Sequence, residues 1–424
     1  MTKEKTGNWF IGLSVLVYIV LWFVFAPDDG LAATRDHVIG EMLAGATMIL
    51  LSISIFLSTK PKWAEPYFGG LDKMYSTHRQ IAIIALLLLI GHFYTIPTGK
   101  TGGPGLWLGM IAFYGFLISI LLALAPRLPF ISNFFKQTYT KWRNVHRLVG
   151  IMYLLSIFHY LMVEPHSLAT PQGFYMLAFA IFGGGSWLYK QAFAQRMTPF
   201  LQYEVESVNR LNGSIIELVL KPLGEGLEHA AGQFAFIHFE TDEILKEPHP
   251  FTIASAPGAD RLRIAIKNSG DWTGYLYDMA QPGMVAQVAG GHGMFNYKNS
   301  PNDQIWVAGG IGVTPFASWV RDMRSDPAQK INFFYTVRSD SDVIFYDEFE
   351  SAAQQHDNLN AHLQVSNENG RLTPDLVAQL CGEDISKRSV YLCGPVKMTE
   401  SMAEAFQKMG VASSNIHFEE FNFR

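Results

Sequence analysis

The amino-acid sequence predicts a multidomain membrane protein: a six-helix transmembrane bundle, then an antiparallel β-barrel, then an α/β domain built on a parallel sheet. Three observations carry this. Up to about residue 190 the apolar residues form long uninterrupted runs, and from about Phe200 they fall into short alternating segments. After Pro301, apolar strands interleave with helical stretches. The 424 residues are 49% hydrophobic and only 16% charged, which suits a chain with a large share in lipid. A net charge of −5 offers no basic face for nucleic acid. The two cysteines, Cys381 and Cys393, are too few for a disulfide framework or an iron–sulfur cluster.

Six runs approach the roughly 20 residues that cross a bilayer. They are Trp9–Ala26, Val38–Ser58, His78–Ile96, Leu106–Ala125, His146–Val163 and Phe174–Lys190. The loops on one side carry Lys60, Lys62, Lys73, Arg127, Lys136, Lys141, Arg143 and Arg196, whereas the other side has only Arg35 and Lys100. The positive-inside rule therefore puts the N-terminus and everything after residue 190 in the cytoplasm, with the chain multi-pass in the cell's inner (plasma) membrane.

The third and fifth runs each hold two histidines, His78 with His92 and His146 with His159. An ionisable group at membrane depth is costly and points to a site. The spacings of 14 and 13 residues correspond to rises of ~21 and ~20 Å. Both runs travel in the same direction, so His78 is expected to face His146 and His92 to face His159. A bare metal ion would want more ligands, and no Asp, Glu or Cys lies at these depths. A haem brings four nitrogens and needs only two axial groups, so two stacked bis-histidine haems satisfy the pattern. Arg79 and Arg147, each following an inner histidine, are candidate partners for haem propionates. One detail resists an ideal helix: 14 residues return to within ~40° of the starting face, but 13 leave a side chain ~140° away. Tilt, a π-bulge or haems approached from different sides would absorb it.

Beyond Phe200, the segments YEVESV, SIIELVLK, FAFIHF and LRIAIK alternate as short strands do. HPFTIASAP (from His249) and NSGDWTGYL (from Asn268) lie among them. In the second, Asp271 or Thr273 is placed to cap a helix whose amide end suits a pyrophosphate. After Pro301 come QIWVAGG, VTPFASWVRDM, INFFYTV, SVYLCGP and VKMTESMAEAF, a strand–helix succession that implies a parallel sheet flanked by helices. The turn GGIGVTPF, Gly309 to Phe316, lets phosphates approach amides at a helix start. Arg338, ending the next strand, stands where a 2′-phosphate would sit.

In their order, HPFTIASAP, GDWT, GGIGVTPF, CGP and the terminal FEEFNFR resemble the ferredoxin–NADP reductase superfamily. Behind six spans with paired histidines they resemble the ferric reductase/NADPH oxidase family, in particular its short bacterial members, and that family also shows the 14 and 13 spacings. The resemblance covers nearly the whole chain. It implies a six-span di-haem domain over 1–196, an FAD-binding β-barrel domain over 197–298 and an NAD(P)H-binding α/β domain over 299–424. The cofactors it implies are FAD, two haem b and NADPH or NADH.

By the same resemblance, His249, Pro250, Phe251 and Thr252 clamp the flavin, with Lys267, Gly270, Trp272 and Thr273 near its phosphates. Gly310, Gly312, Thr314 and Pro315 hold the dinucleotide, with Arg338 favouring NADPH. Cys393, Gly394 and Pro395 approach the nicotinamide. Thr252, Cys393 and Phe423 would be the catalytic groups, Phe423 (or Phe421) covering the isoalloxazine. A flavin converts a hydride pair into single electrons that haems accept. The expected activity is transmembrane oxidation of NAD(P)H, with oxygen reduced to superoxide outside and Arg35 and His37 near the exit. Ferric chelate or quinone is the alternative acceptor. No calcium-binding loop or proline-rich tail is visible, so no obligatory protein activator is expected.

Overall fold

The computed structural model describes residues 5–25, 35–95, 103–125, 139–163, 169–194, 200–323, 328–382 and 384–419, with the side chains of 35–37, 139–144 and 194 excepted. The chain divides into two compact units, Met1–Thr198 and Pro199–Arg424.

Among its described residues the first unit contains six long helices: α1 (Thr6–Val24), α2 (Arg35–Leu57), α3 (Leu71–Thr95), α4 (Pro104–Leu124), α5 (Tyr139–Val163) and α6 (Pro171–Tyr189). Five of them are long and apolar enough to cross a membrane. The sixth has the length, but its sequence includes Gln172 and the run Gly183–Gly184–Gly185, which dilute its apolarity. Helices α3 and α5 begin seven residues before their apolar runs, so His78 and His146 stand about two turns inside their helices rather than at the ends. The polar prefixes, LDKMYST and YTKWRNV, are helical without being apolar. Helix α2 is the central element: 67% of its apolar window is buried, against 28% or less in the other four. Tyr153, fully buried on α5, ties the bundle together through its hydroxyl, 2.6 Å from Ser52 Oγ on α2.

The second unit begins with a six-stranded, wholly antiparallel sheet in the order β4-β3-β6-β1-β2-β5. The strands are β1 (Leu201–Arg210), β2 (Ile215–Pro222), β3 (Phe234–Phe239), β4 (His249–Thr252), β5 (Leu262–Lys267) and β6 (Val285–His292). Alternate residues Ile216, Leu218 and Leu220 point into one core with Ile264, Ile266, Ile237 and Phe239, as a period of two requires. Helix α7 (Asp271–Met279) adds Trp272 and Leu276 to that core. The expected barrel is not closed by a ladder. The edges β4 and β5 meet through the Ala254 N–H donating to the Arg263 carbonyl (2.8 Å) and the Arg263 N–H donating to Ser255 Oγ (3.2 Å).

The α/β region is a parallel sheet in the order β11-β10-β7-β8-β9. Its strands are β7 (Gln304–Gly309), β8 (Ile331–Val337), β9 (Leu359–Val365), β10 (Ser389–Cys393) and β11 (Ile416–Phe418). Its helices are α8 (Thr314–Asp322), α9 (Tyr346–Gln355), α10 (Pro374–Cys381) and α11 (Val396–Lys408). The central strand β7 is buried on both faces. Trp306 and Ala308 enter one core with Phe316, Trp319 and Phe349, while Ile305 and Val307 enter the other with Met402 and Phe406.

Candidate functional site

Within the first unit the structure brings His78 and His146 together, their ring centres 6.1 Å apart and their planes nearly perpendicular. In-line coordination with metal–nitrogen distances of about 2.0 Å puts two imidazole centres roughly 6 Å apart, so one ion fits between these rings. His78 Nδ1 lies 2.9 Å from the Ser54 carbonyl and 2.8 Å from Ser54 Oγ. His92 Nδ1 lies 2.9 Å from the Gly40 carbonyl, and His159 Nδ1 lies 2.8 Å from the Gly105 carbonyl. A carbonyl only accepts, so in all three rings Nδ1 carries the proton and Nε2 the lone pair, the arrangement usual behind metal-bound histidine. Two of these anchors, Gly40 and Ser54, lie 14 residues apart on α2 and match the spacing of the histidines they hold on antiparallel α3.

Helix α5 is an uninterrupted α-helix, with no π-bulge between its histidines. The ~140° offset is met differently: His146 turns toward α3, whereas His159 lies against α4. Gly109 on α4 makes this possible, because a Cβ there would stand 2.7 Å from the His159 ring. Among the described residues, no group of three or more His, Cys, Asp and Glu is placed to hold a metal ion. The Arg79 guanidinium reaches Ser76 Oγ at 3.4 Å, and Arg147 is exposed.

In the second unit, β4 lies at the sheet edge with His249, Pro250 and Phe251 half-buried. Thr252 is 5% exposed, and its buried Oγ1 has no hydrogen-bond partner among the described residues. Trp272 is a core residue rather than a surface contact. Its indole stacks on His249 at 4.6 Å and packs against Phe251 at 5.4 Å, stiffening β4 from behind. Helix α7 starts at Asp271 with Gly270 as its N-cap. Thr273 Oγ1 accepts the N–H groups of Ser269 and Gly270, each at 3.0 Å, so Thr273 closes the turn. Lys267 is exposed at the end of β5.

The parallel sheet reverses direction of succession between β7 and β10, and ligands bind such sheets outside the strand ends at that switch point. Gly310 and Gly312 follow β7; Cys393 ends β10, followed by Gly394 and Pro395. Gly312 passes so close that a Cβ would stand 2.3 Å from the Cys393 carbonyl oxygen. Thr314 opens α8, Pro315 occupies its first turn, and Thr314 Oγ1 donates to the Ile311 carbonyl at 3.1 Å. Arg338 is exposed just past β8, where Ser339 and Asp342 close the next turn on themselves. Cys393 is completely buried. Burial, with the charge of Glu419 adding to it, pushes its thiol well above the ordinary range, so it stays neutral. Glu419, 5% exposed, lies near enough for its charge to act on Cys393, a neighbour that only its place in FEEFNFR hinted at. Phe423 and Phe421, and the side chains of Arg35 and His37, lie outside the described residues.

Three family models match in succession. They are a ferric reductase like transmembrane component over residues 43–157, an FAD-binding domain over 200–303 and an oxidoreductase NAD-binding domain over 306–404. The glycine betaine monooxygenase reductase subunit of Pseudomonas aeruginosa is 28% identical over 208 residues, 45% of this chain and 55% of that protein. Ferredoxin–NADP reductase B of Sorangium cellulosum is 29% identical over 189 residues, 41% of this chain and 77% of that protein. The chain thus spans little more than half the length of the first of these relatives. A flavohemoglobin from Malassezia yamatoensis, solved with bound FAD and heme, superimposes with a TM-score of 0.52 at 16% identity. The match covers 96% of this chain and 99% of that one, a likeness of fold. Taken with the paired helices and the two sheets, these matches give the chain the architecture of the ferric reductase/NADPH oxidase family, with a ferredoxin–NADP reductase-type region behind a transmembrane component.

Proposed function

We propose that the chain is a transmembrane NAD(P)H oxidase: electrons from NAD(P)H pass through FAD and two bis-histidine haems to oxygen on the far side, producing superoxide. The observation that carries this reading is the 6.1 Å separation of His78 and His146, set inside two helices long and apolar enough to cross a membrane. Two imidazoles that no further His, Cys, Asp or Glu joins among the described residues suit a haem, which brings its own four nitrogens. His78 with His146 and His92 with His159 would be the axial pairs, and Arg79 and Arg147 the propionate partners. FAD fits the second unit because Thr252 offers a buried hydroxyl with no hydrogen-bond partner among the described residues, beside a half-buried, Trp-backed strand.

When bound, the flavin supplies the change from paired to single electrons, and the haems supply a one-electron path through hydrocarbon. The protein's own residues bind and orient. His249, Pro250, Phe251 and Thr252 hold the isoalloxazine, and Thr252 Oγ1 gives its edge a hydrogen-bond partner. Lys267, Gly270 and the first amides of α7 take the phosphates, with Trp272 and Thr273 shaping that turn. Gly310, Gly312, Thr314 and Pro315 take the dinucleotide phosphates, and Arg338 a 2′-phosphate. Gly394 and Pro395 would line the nicotinamide, and the buried, neutral Cys393 thiol would keep charge and water from it. Phe423 would cover the flavin. The divisions 1–196, 197–298 and 299–424 follow these roles. The nucleotide sites face the cytoplasm of a plasma-membrane protein that needs no protein activator.

The test is NADPH-driven reduction of cytochrome c by the purified, cofactor-loaded chain. Superoxide dismutase is expected to abolish most of the signal. A rate untouched by the dismutase, with ferric citrate reduced faster than oxygen, would instead assign a ferric-chelate reductase.

A further inference from the structure

Helix α8 begins at the dinucleotide turn, and Arg321, in its last turn, does not face solvent. Its side chain is 12% exposed. Nε and Nη2 form a two-pronged pair with Glu348 at 2.6 and 2.5 Å, and Nη1 donates to the Ala254 carbonyl at 2.6 Å. Ala254 lies two residues beyond Thr252, on the chain leaving the flavin strand β4. One guanidinium therefore joins the end of the nucleotide helix, the start of α9 and the exit of β4.

The junction extends into the antiparallel sheet. Arg263 Nη1 lies 3.7 Å from Glu348, and Arg263 Nε donates to Glu217 Oε1 at 2.7 Å. Glu217 is 3% exposed and also accepts from Asn209. Charges alternate along Glu217, Arg263, Glu348 and Arg321, so the buried carboxylate is balanced. Glu348 sits in the first turn of α9 and Arg321 in the last turn of α8, each at the helix end that favours its charge. Phe345 lies beneath both guanidiniums, 4.7 Å from Arg321 and 5.5 Å from Arg263. Its φ of +61° is a left-handed conformation that a bulky side chain rarely adopts, and here its ring packs against both cations. Ser318 adds a second bolt by donating to the Ser255 carbonyl at 2.8 Å and accepting the Gly232 N–H.

We propose that Arg321 is a positioning residue for hydride transfer: through Glu348 and the Ala254 carbonyl it sets helix α8, and with it the dinucleotide turn, against the flavin strand. This rests on the reading that NAD(P)H reduces FAD between those two elements. In that step the C4–H bond of the dihydronicotinamide breaks with both electrons, an N–H bond forms at flavin N5, and NAD(P)⁺ and the reduced flavin anion result. The reacting atoms must come within about 3–3.5 Å, and a 1 Å misplacement costs about 100-fold. Helix α8 is nine residues long, a rod of about 13 Å, so a tilt at Arg321 is felt at Gly310–Thr314. Lysine cannot replace the three-way grip, because an ammonium is a point charge and not a planar fork.

The test uses the full-length detergent-solubilised chain with Arg321→Gln, Arg321→Lys and the milder Glu348→Gln. Anaerobic stopped-flow with NADPH separates the limiting rate of flavin reduction from the dinucleotide Kd. Hydrogen exchange on the cofactor-free chain reads residues 253–257 and 314–322. The expected result is a limiting rate lowered about tenfold or more in all three, with FAD content and Kd within about twofold and faster exchange in both segments. The single and double substitutions at 321 and 348 should not add, since they break one junction. A limiting rate within twofold of the parent, unchanged exchange, or a rate loss matched by equal loss of FAD would each overturn the proposal. Failure of NADPH to reduce the flavin of the unmodified chain would instead defeat the functional reading, and the exchange measurement would still decide the junction.

Discussion

His146→Ala is expected to leave the chain with one haem instead of two and to lower NADPH-driven acceptor reduction at least ~100-fold. Groups that only orient a metal-bound histidine are worth about 10- to 100-fold when changed, so losing the ligand itself should exceed that range. The ring lost is the one that stands 6.1 Å from His78. Its removal leaves His78, still held through Nδ1 by Ser54, facing an empty position. Flavin reduction by NADPH under anaerobic conditions should be unchanged, because the dinucleotide and flavin elements belong to the second unit. Pyridine haemochrome assay, with stopped-flow flavin reduction on the same sample, checks both halves. Imidazole in the buffer should restore part of the missing haem if the cavity has kept its shape.

Gly312→Ala is expected to stop NADPH from reducing the flavin efficiently while both haems and FAD remain bound. The added Cβ would stand 2.3 Å from the Cys393 carbonyl oxygen, 2.5 Å from its carbon and 2.8 Å from the Gly394 nitrogen. All three are backbone atoms at the end of a buried strand, so no side chain can swing aside. The ends of β7 and β10 must separate by about 1 Å, across the crevice that would hold the nicotinamide, which at that scale costs about 100-fold in rate. Overpacking of this kind also costs about 1–3 kcal/mol in stability. Flavin reduction by dithionite should be normal, and dithionite-driven haem reduction likewise. Equal slowing with NADPH and dithionite would mean that the change disturbs the whole unit.

Much of the architecture was legible because it rests on patterns that a sequence displays directly. Long apolar runs set five spans, and period-two alternation set β1, β2, β3 and β5. The misses have physical reasons. β4 is four residues long and contains Pro250, and β6 carries Gly290 and Gly291, so neither shows a strand-like pattern. The polar first turns of α3 and α5 carry no apolar signal, which moved the predicted starts by two turns.

The site divides in the same way. Histidines at membrane depth stand out, but the carbonyls of Gly40, Ser54 and Gly105 that orient them are backbone atoms and leave no mark in composition. Trp272 packs into the core because it stands four residues before Leu276 on the same face of α7, a spacing that only the helix reveals. Arg321 and Glu348 are 27 residues apart and each reads as an ordinary helix-end charge. Only the folded chain shows that Ala254, from a third element, lies in the same grip.

The central claim is that α3 and α5 hold two haems, each between a pair of histidines. Haem-to-FAD stoichiometry of fully loaded, purified protein, by pyridine haemochrome and flavin release, tests it most directly. The account predicts two haems for each FAD, falling to one in His78→Ala and in His92→Ala. One haem or none in the unmodified chain, or two retained after either substitution, would contradict it.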